Sequence, residues 1–270
     1  MSNALYVKAV LLGLVEGLTE FLPISSTGHL IVAGDWLQFT RGNAKSFEVF
    51  IQLGAILAVC WIYRARLTAT VREFGQTSTA NRFGLNIAVA FLPAACVGFL
   101  AHDFIKSALF KPVVVAWALI IGGLVILLIE RRVRATPVAS IEAIAPMQAF
   151  KIGLAQVAAL IPGVSRSGAT IMGGMLSGLN RQTATEFSFF LAIPVMFAAT
   201  CYDLAKEWRH LGRADLGLFV LGFMTAFFSA LLAIRVLLRF VSQHSFAVFA
   251  YYRIAFGLLL LWFYHPGNGS

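Results

Sequence analysis

Charged side chains are scarce in this chain: 12% of its 270 residues are Asp, Glu, Lys or Arg, against 59% hydrophobic. Soluble domains carry about a quarter charged residues, so a soluble fold is excluded. Cysteine is rarer still. Cys60, Cys96 and Cys201 each lie in an apolar run, form no CxxC pair and sit away from any histidine at ligand spacing. That removes a disulfide framework or a zinc ribbon and leaves small core residues as their expected role. No basic stretch opens the chain, and Glu16 interrupts the first apolar run, so no cleaved signal peptide is expected. The net charge of +9 comes without a basic stripe interleaved with aromatics. Basic loops beside a membrane explain it, and nucleic acid is not an expected partner.

The length suits about six to eight spanning helices of about 20 residues each. Six apolar runs could span, at 47–63, 84–101, 112–129, 183–202, 216–234 and 246–264. Polar linkers are expected near 65–83, 102–111, 130–148 and 203–215. Residues 5–40 and 149–180 are apolar but broken at Pro23 and Pro162, where a helix cannot continue. Gly, Ser and Thr follow each break. Both segments therefore predict re-entrant hairpins of two half-helices, tolerable at membrane depth only where protein or a wet cavity satisfies the backbone. The fold class expected is an all-α membrane bundle of six spans and two such hairpins.

The two broken segments match at a constant offset of 140: Gly13-Leu14 with Gly153-Leu154, Ser25 with Ser165, Thr27 with Ser167, Gly28 with Gly168, and Phe47 with Phe187. Glu16 falls opposite Gln156, and the prolines slip by one position. Each half, about 1–135 and 145–270, would hold one hairpin and three spans. An odd number of spans inverts the second copy, the plan in which sites form at the midplane from broken helices. Arg131, Arg132 and Arg134 cluster in one loop and Arg64, Arg66, Arg72 and Arg82 in another two spans away, which predicts a cytoplasmic side for both. Lys106, Lys111, Lys206, Arg209 and Arg213 on the other side reduce the bias. Both termini and the first hairpin's mouth would face outside, the second hairpin would enter from the cytoplasm, and the tips would meet near mid-membrane.

The breaks carry the chemistry. Ionisable residues inside membrane-length segments usually mark a site. Glu16 and Glu20 are four apart, on one helical face. Two such carboxylates repel unless a shared proton or a divalent cation, Mg2+ or Ca2+, lies between them. Ser25, Ser26, Thr27, Gly28 and His29 follow the first break, where a restarting helix points free N–H groups and its positive dipole end at an anion. The hydroxyls would equally serve as ordinary N-caps. His29 lies one turn after Ser26 and is expected to accept its proton or to carry a phosphoryl group. The second break offers Ser165, Arg166, Ser167, Gly168 and Thr170. Arg166 needs an anionic partner, and its fork fits phosphate oxygens; an ion pair with Glu16 or Glu20 is the alternative. Glu48 and Gln52 share a face and are candidates for a cavity wall, Asp35 for an interface, and Asn86 and Arg253 for interhelical bonds. The 24 phenylalanines are most simply lipid-facing or core packing, with a few as candidates to line a groove for an isoprenoid chain.

These motifs resemble the undecaprenyl-diphosphate phosphatase (bacitracin-resistance protein) family. Glu16-Gly-Leu-Thr-Glu20 running into Ser25-Ser-Thr-Gly-His29 is similar to its glutamate-rich signature, and Pro162-Gly-Val-Ser-Arg-Ser-Gly-Ala-Thr170 to its PGxSRSxxT signature. Phe47-Glu-Val-Phe-Ile-Gln-Leu-Gly54 also looks family-like. The resemblance covers essentially the whole chain. It implies an enzyme of the bacterial cytoplasmic membrane that hydrolyses undecaprenyl diphosphate to undecaprenyl phosphate and inorganic phosphate, recycling the lipid carrier for cell-wall synthesis. Bacitracin would act indirectly, through the substrate. A divalent cation, a site opening to the periplasm and a homodimer are implied in the same way.

On that basis Arg166 and the half-helix N–H groups would hold the terminal phosphate, with Ser165, Ser167, Thr170, Ser25, Thr27 and Gly168 around it. Glu16 and Glu20 would bind the cation. Ser26 is the expected nucleophile, with His29 or Glu20 as base. Attack by water on the cation and a phospho-histidine at His29 are the rivals. A lipid-phosphate carrier would share the broken helices and Arg166, but it has less need of a glutamate pair, a serine and a histidine together.

Overall fold

The computed structural model describes residues 3–39, 44–101, 105, 109, 111–132, 138–207 and 216–264. Among them the backbone is helical, and the β-type pairing is a single bridge between Val138 and Leu179. The first half contains α1 (Asn3–Thr19), α2 (Ser26–Trp36), α3 (Ala44–Ile62), α4 (Arg64–Glu73), α5 (Ser78–Leu100) and α6 (Pro112–Glu130). The second contains α7 (Pro146–Val157), which runs through a 3-10 turn to Leu160, then α8 (Arg166–Leu176), α9 (Arg181–Glu207), α10 (Leu216–Val241) and α11 (Ala247–Phe263). Helices α3, α5, α6, α9 and α10 are long and apolar enough to cross a membrane; α11 is apolar but 17 residues long. The chain is a multi-pass membrane helical bundle.

The breaks fall where the prolines predict them. α1 stops at Thr19 and α2 restarts at Ser26; α7 and its 3-10 turn stop at Leu160 and α8 restarts at Arg166. Ser25 and Ser165, the residues just before each restart, have positive φ of 69° and 74°. L-residues rarely adopt that backbone, so both breaks hold strain at matching positions.

The two halves interlock. α1 packs chiefly on α10 and α7 on α5, while α6 pairs with α11. Glycines allow the backbones to touch. A Cβ at Gly17 would lie 2.3 Å from the Ala226 carbonyl oxygen on α10, and one at Gly153 would lie 2.4 Å from that of Ala90 on α5. Small residues at such crossings are how membrane helices gain close packing without a hydrophobic drive between them. A core of Phe21, Phe187, Phe189 and Phe190 lies between the breaks and α9, with Phe21 edge-on to Phe189 at 5.4 Å.

Several element bounds differ from the sequence pattern. The expected linker at 65–83 contains α4, a polar helix with no buried residue. Its alanines and arginines favour helix, and Leu67 packs partly buried against the core. α5 begins at Ser78, where the Thr77 side chain caps it by accepting from the Ala80 N–H and lets a polar first turn extend it beyond the apolar run. Cys96 and Cys201 are exposed rather than in the core, since the lipid-facing side of a membrane helix is as apolar as its interior. Arg66 pairs with Glu142, and Arg82 and Asn86 donate to the Ile144 carbonyl, so the 64–83 and 138–145 segments meet at one end of the bundle. Lys106, Arg134, Arg209 and Arg213 lie outside the described residues, as does the Lys206 side chain.

Candidate active site

A cavity of about 460 Å³ lies where the two breaks meet. Glu20, Ser25, Ser26 and Thr27 reach it from the first break, and Pro162, Gly163, Ser165 and Arg166 from the second. Gln52 of α3 and Gln156 of α7 add amides. The remaining wall is largely apolar and runs between α5 and α9 from Phe91 and Val195 to Phe99 and Tyr202, where Asp203 joins it. The break end of the cavity is therefore polar and charged, and the stretch of wall between α5 and α9 suits a hydrocarbon.

Glu20 joins the breaks. Its Oε1 accepts from Arg166 Nη2 at 3.1 Å, and its Oε2 accepts from the Ser26 hydroxyl at 2.5 Å. The ion pair is well buried, with Arg166 and Glu20 side chains 12% and 7% exposed. Of the two partners that sequence allowed Arg166, the structure selects Glu20. The Ser188 carbonyl and the Met196 sulfur also accept from the guanidinium, whose face lies 5.7 Å from the Phe21 ring. Its buried Nε–H has no partner among the described residues and remains a free donor there.

The other predicted residues divide into wall and support. Ser165 lines the cavity and caps α8 by accepting from the Gly168 N–H at 3.1 Å. Ser25 lines it too but does not cap α2 with its side chain, which leaves the first N–H groups of α2 available. Ser167 is fully buried behind the wall and donates to the Leu22 carbonyl at 2.7 Å, tying one break to the other. Thr170 donates back to the Arg166 carbonyl and bonds Ser188 Oγ at 2.6 Å. Gly168 packs against Ser165 and the Arg253 guanidinium.

His29 points elsewhere. Its Nδ1–H donates to the Ser25 carbonyl at 2.7 Å, because a carbonyl can only accept. In the neutral ring Nε2 is then left to accept from the Tyr252 hydroxyl at 2.6 Å. The imidazole stacks on Phe256 at 4.5 Å. The cavity wall does not include it, and Ser26 is bonded to Glu20 instead.

Glu16 is 2% exposed and lies close enough to Glu20, Glu48 and Arg166 to feel each charge. Glu16 and Glu20 thus share one guanidinium, while Glu48 has Lys45 near it. On the same cavity wall as Glu20, both amide atoms of buried Gln156 lack a partner among the described residues. Excess negative charge and an unpaired amide oxygen fit an oxygen-liganded divalent cation, with Glu16, Glu20 and Gln156 as the donor set. Ser188, Met196, Tyr252 and Gln156 were not singled out as site residues in the sequence. Only Gln156 carried a signal, through its register with Glu16.

The model of the bacitracin resistance protein BacA family matches residues 9–259. The chain is 58% identical to the undecaprenyl-diphosphatase of Laribacter hongkongensis over 97% of this chain and 96% of that protein. It is 59% identical to that of Nitrosomonas eutropha, over 99% and 97%. For the Methylobacillus flagellatus protein of the same name the figures are 55%, 98% and 100%. A glutamate-rich break, an SRS break and the ion pair that joins them thus occur in a sequence that, over nearly its whole length, belongs to the bacitracin resistance protein BacA family.

Proposed function

We propose that this chain is a membrane phosphatase that hydrolyses undecaprenyl diphosphate to undecaprenyl phosphate and inorganic phosphate. In doing so it recycles the lipid carrier for cell-wall synthesis and takes part in bacitracin resistance. The observation that carries this reading is the Arg166–Glu20–Ser26 chain of bonds, at the polar end of a cavity whose wall between α5 and α9 is largely apolar.

The diphosphate enters the polar end and the prenyl chain follows the wall between α5 and α9. Arg166 turns its fork from Glu20 to the terminal phosphate, where its charge and free Nε–H offset charge growing in the transition state. The uncapped start of α2 adds N–H donors. Release from Arg166 leaves Glu20 free to take the Ser26 proton. Ser26 Oγ then bonds to the terminal phosphorus, the bond from phosphorus to the bridging oxygen breaks, and undecaprenyl phosphate leaves. Water cleaves the phosphoserine, frees inorganic phosphate and returns the proton through Glu20. Glu16, Gln156 and one carboxylate oxygen of Glu20 would hold a Mg2+ or Ca2+ ion, which when bound would supply positive charge to the diphosphate, while the Glu20 oxygen that meets Ser26 takes the proton. With its ring nitrogens on Ser25 and Tyr252, His29 orients the start of α2, and Glu20 is the base.

The same proposal includes the finer architecture: six spans, two re-entrant hairpins and an inverted repeat. It is supported by the equivalent strained serines, by the reciprocal packing of α1 on α10 and α7 on α5, and by glycines at the equivalent crossings. The arginine-rich 64–83 segment and the 138–145 segment, which follows Arg131 and Arg132, share one end, which this topology makes cytoplasmic, with the cavity mouth between α5 and α9 toward the periplasm of the inner membrane. Family resemblance supports a homodimer.

The test is phosphate release from undecaprenyl diphosphate by purified protein in detergent, with and without EDTA, beside Arg166→Ala. Release that requires a divalent ion and collapses in the variant is the expected result. Substrate binding without release by folded wild-type protein would overturn the reading in favour of a carrier.

A further inference from the structure

Arg253 of α11 is 1% exposed and faces no carboxylate among the described residues. A buried guanidinium without an anion is costly unless every donor is satisfied. All five of its N–H groups have backbone carbonyl acceptors. Nε donates to Leu119 at 3.3 Å, Nη1 to Pro23 at 3.1 Å and Val164 at 2.9 Å, and Nη2 to Ala118 at 3.1 Å and Gly163 at 3.0 Å. Ala118 and Leu119 belong to α6, which has no break. Pro23 lies in the first break, Gly163 and Val164 in the second, and Pro23 and Gly163 are 140 residues apart, the offset that relates the two halves. A single side chain therefore holds the same carbonyl of both copies against one intact helix.

We infer that Arg253 is the positioning residue that sets the two breaks at the separation and polarity the reaction needs. The polarity follows from what a broken helix exposes. Each break frees both N–H and C=O groups. An anionic substrate gains from the N–H groups and is repelled by the carbonyls. Arg253 draws three of those carbonyls to its own side, away from the cavity. The N–H starts of α2 and α8, with Ser26 and Arg166 on them, are left to face the phosphate. The site is shaped around this side chain. A Cβ at Gly122 would lie 2.1 Å from its Nη2, so α6 must carry glycine there. Lysine cannot replace it, since an ammonium offers three donors from one point to five acceptors spread over three segments.

This role deepens the phosphatase reading and rests on it for its kinetic test, so a second readout is independent of turnover. The variants are Arg253→Lys, which keeps the charge, and Gly122→Ala, which keeps the arginine and displaces it. In both, kcat should fall at least about tenfold and the inhibition constant for inorganic phosphate should rise, while KM moves less. A merely structural role would lower kcat in proportion to the folded fraction and leave the phosphate constant unchanged. Amide hydrogen exchange is the second readout: peptides covering 22–29 and 162–169 should exchange faster together, with α3, α9 and α10 unchanged. Wild-type phosphate constants and exchange in both breaks would overturn the inference, as would a uniform rise in exchange across all helices. A wild-type protein that released no phosphate would instead sink the phosphatase reading, and the exchange result would still decide the role of Arg253.

Discussion

Replacing Ser26 by alanine separates two roles that its position allows. Its hydroxyl donates to Glu20 at 2.5 Å and lines the cavity, so it either attacks phosphorus or only holds the carboxylate in place. If it only holds Glu20, the loss is that of one hydrogen bond to a charged group, about 1.5–3 kcal/mol. At about 1.36 kcal/mol per tenfold, that is a factor of roughly 10 to 150 in rate. If it is the nucleophile, removal costs far more; serine hydrolases lose about a million-fold. The two ranges do not overlap. Glu20→Gln calibrates the measurement, because glutamine keeps the shape and an oxygen for Arg166 but cannot take a proton. The assay is single-turnover phosphate release, with acid quenching to trap a phosphoenzyme. The expected result is loss beyond about ten-thousand-fold for Ser26→Ala and a trapped phosphoserine in wild type. A folded Ser26→Ala enzyme within about 150-fold of wild type, with Glu20→Gln more damaged, would refute the covalent route and leave Glu20 acting directly on water.

Two further outcomes test the frame of the site. Gly17→Val places carbon where a Cβ already falls 2.1 Å from Ser229 Oγ and 2.3 Å from the Ala226 carbonyl, so α1 must move off α10; a loss of about 1–3 kcal/mol, read as a lower unfolding midpoint in detergent, is expected. At the proposed cytoplasmic end, the Ser140 hydroxyl first, then backbone hydrogen bonding and Arg66, hold the Glu142 carboxyl below its ordinary 4.5. That contribution is present above the ordinary value and disappears as pH falls through the lowered one. The side chain is 46% exposed, so the effect is below about 1 kcal/mol. Glu142→Gln should flatten the acid limb of the melting profile by that amount; an unchanged profile would mean that the pair is fully screened.

The breaks and their residues were legible because proline and ionisable groups are conspicuous in apolar sequence. Pro162, Glu20, Ser26 and Arg166 stand where the pattern put them, at one cavity, and Pro23 lies in the first break. Direction was not legible. His29 and Ser26 are three apart on one helix, which predicts a shared face, yet the ring turns to Tyr252, a residue 223 positions away. Helical spacing fixes where a side chain starts, and distant partners fix where it ends. Likewise the strained Ser25 and Ser165 sit at φ values usually reserved for glycine, so no residue preference announced them. Cys96, Cys201 and the exposed aromatics Phe99 and Phe197 show the remaining difficulty. In a bilayer, outside and inside are equally apolar, and hydropathy distinguishes them poorly.

The crossing of α1 with α10 has a consequence for biosynthesis. When the ribosome has delivered α1 to the membrane, the surface meant to receive Gly13 and Gly17 lies some two hundred residues away in the message, at Gly222 and Ala226. α5 is in a similar position with respect to α7. Until α8 is inserted, Glu16 and Glu20 lack Arg166, and until α10 follows they lack their final walls, so the nascent first half must keep two carboxylates tolerable on its own. Protons, lipid headgroups or the insertion machinery have to serve that interval. The last helices to arrive therefore complete the first half as well as their own, and a chain truncated before Leu216 would leave α1 without its seat.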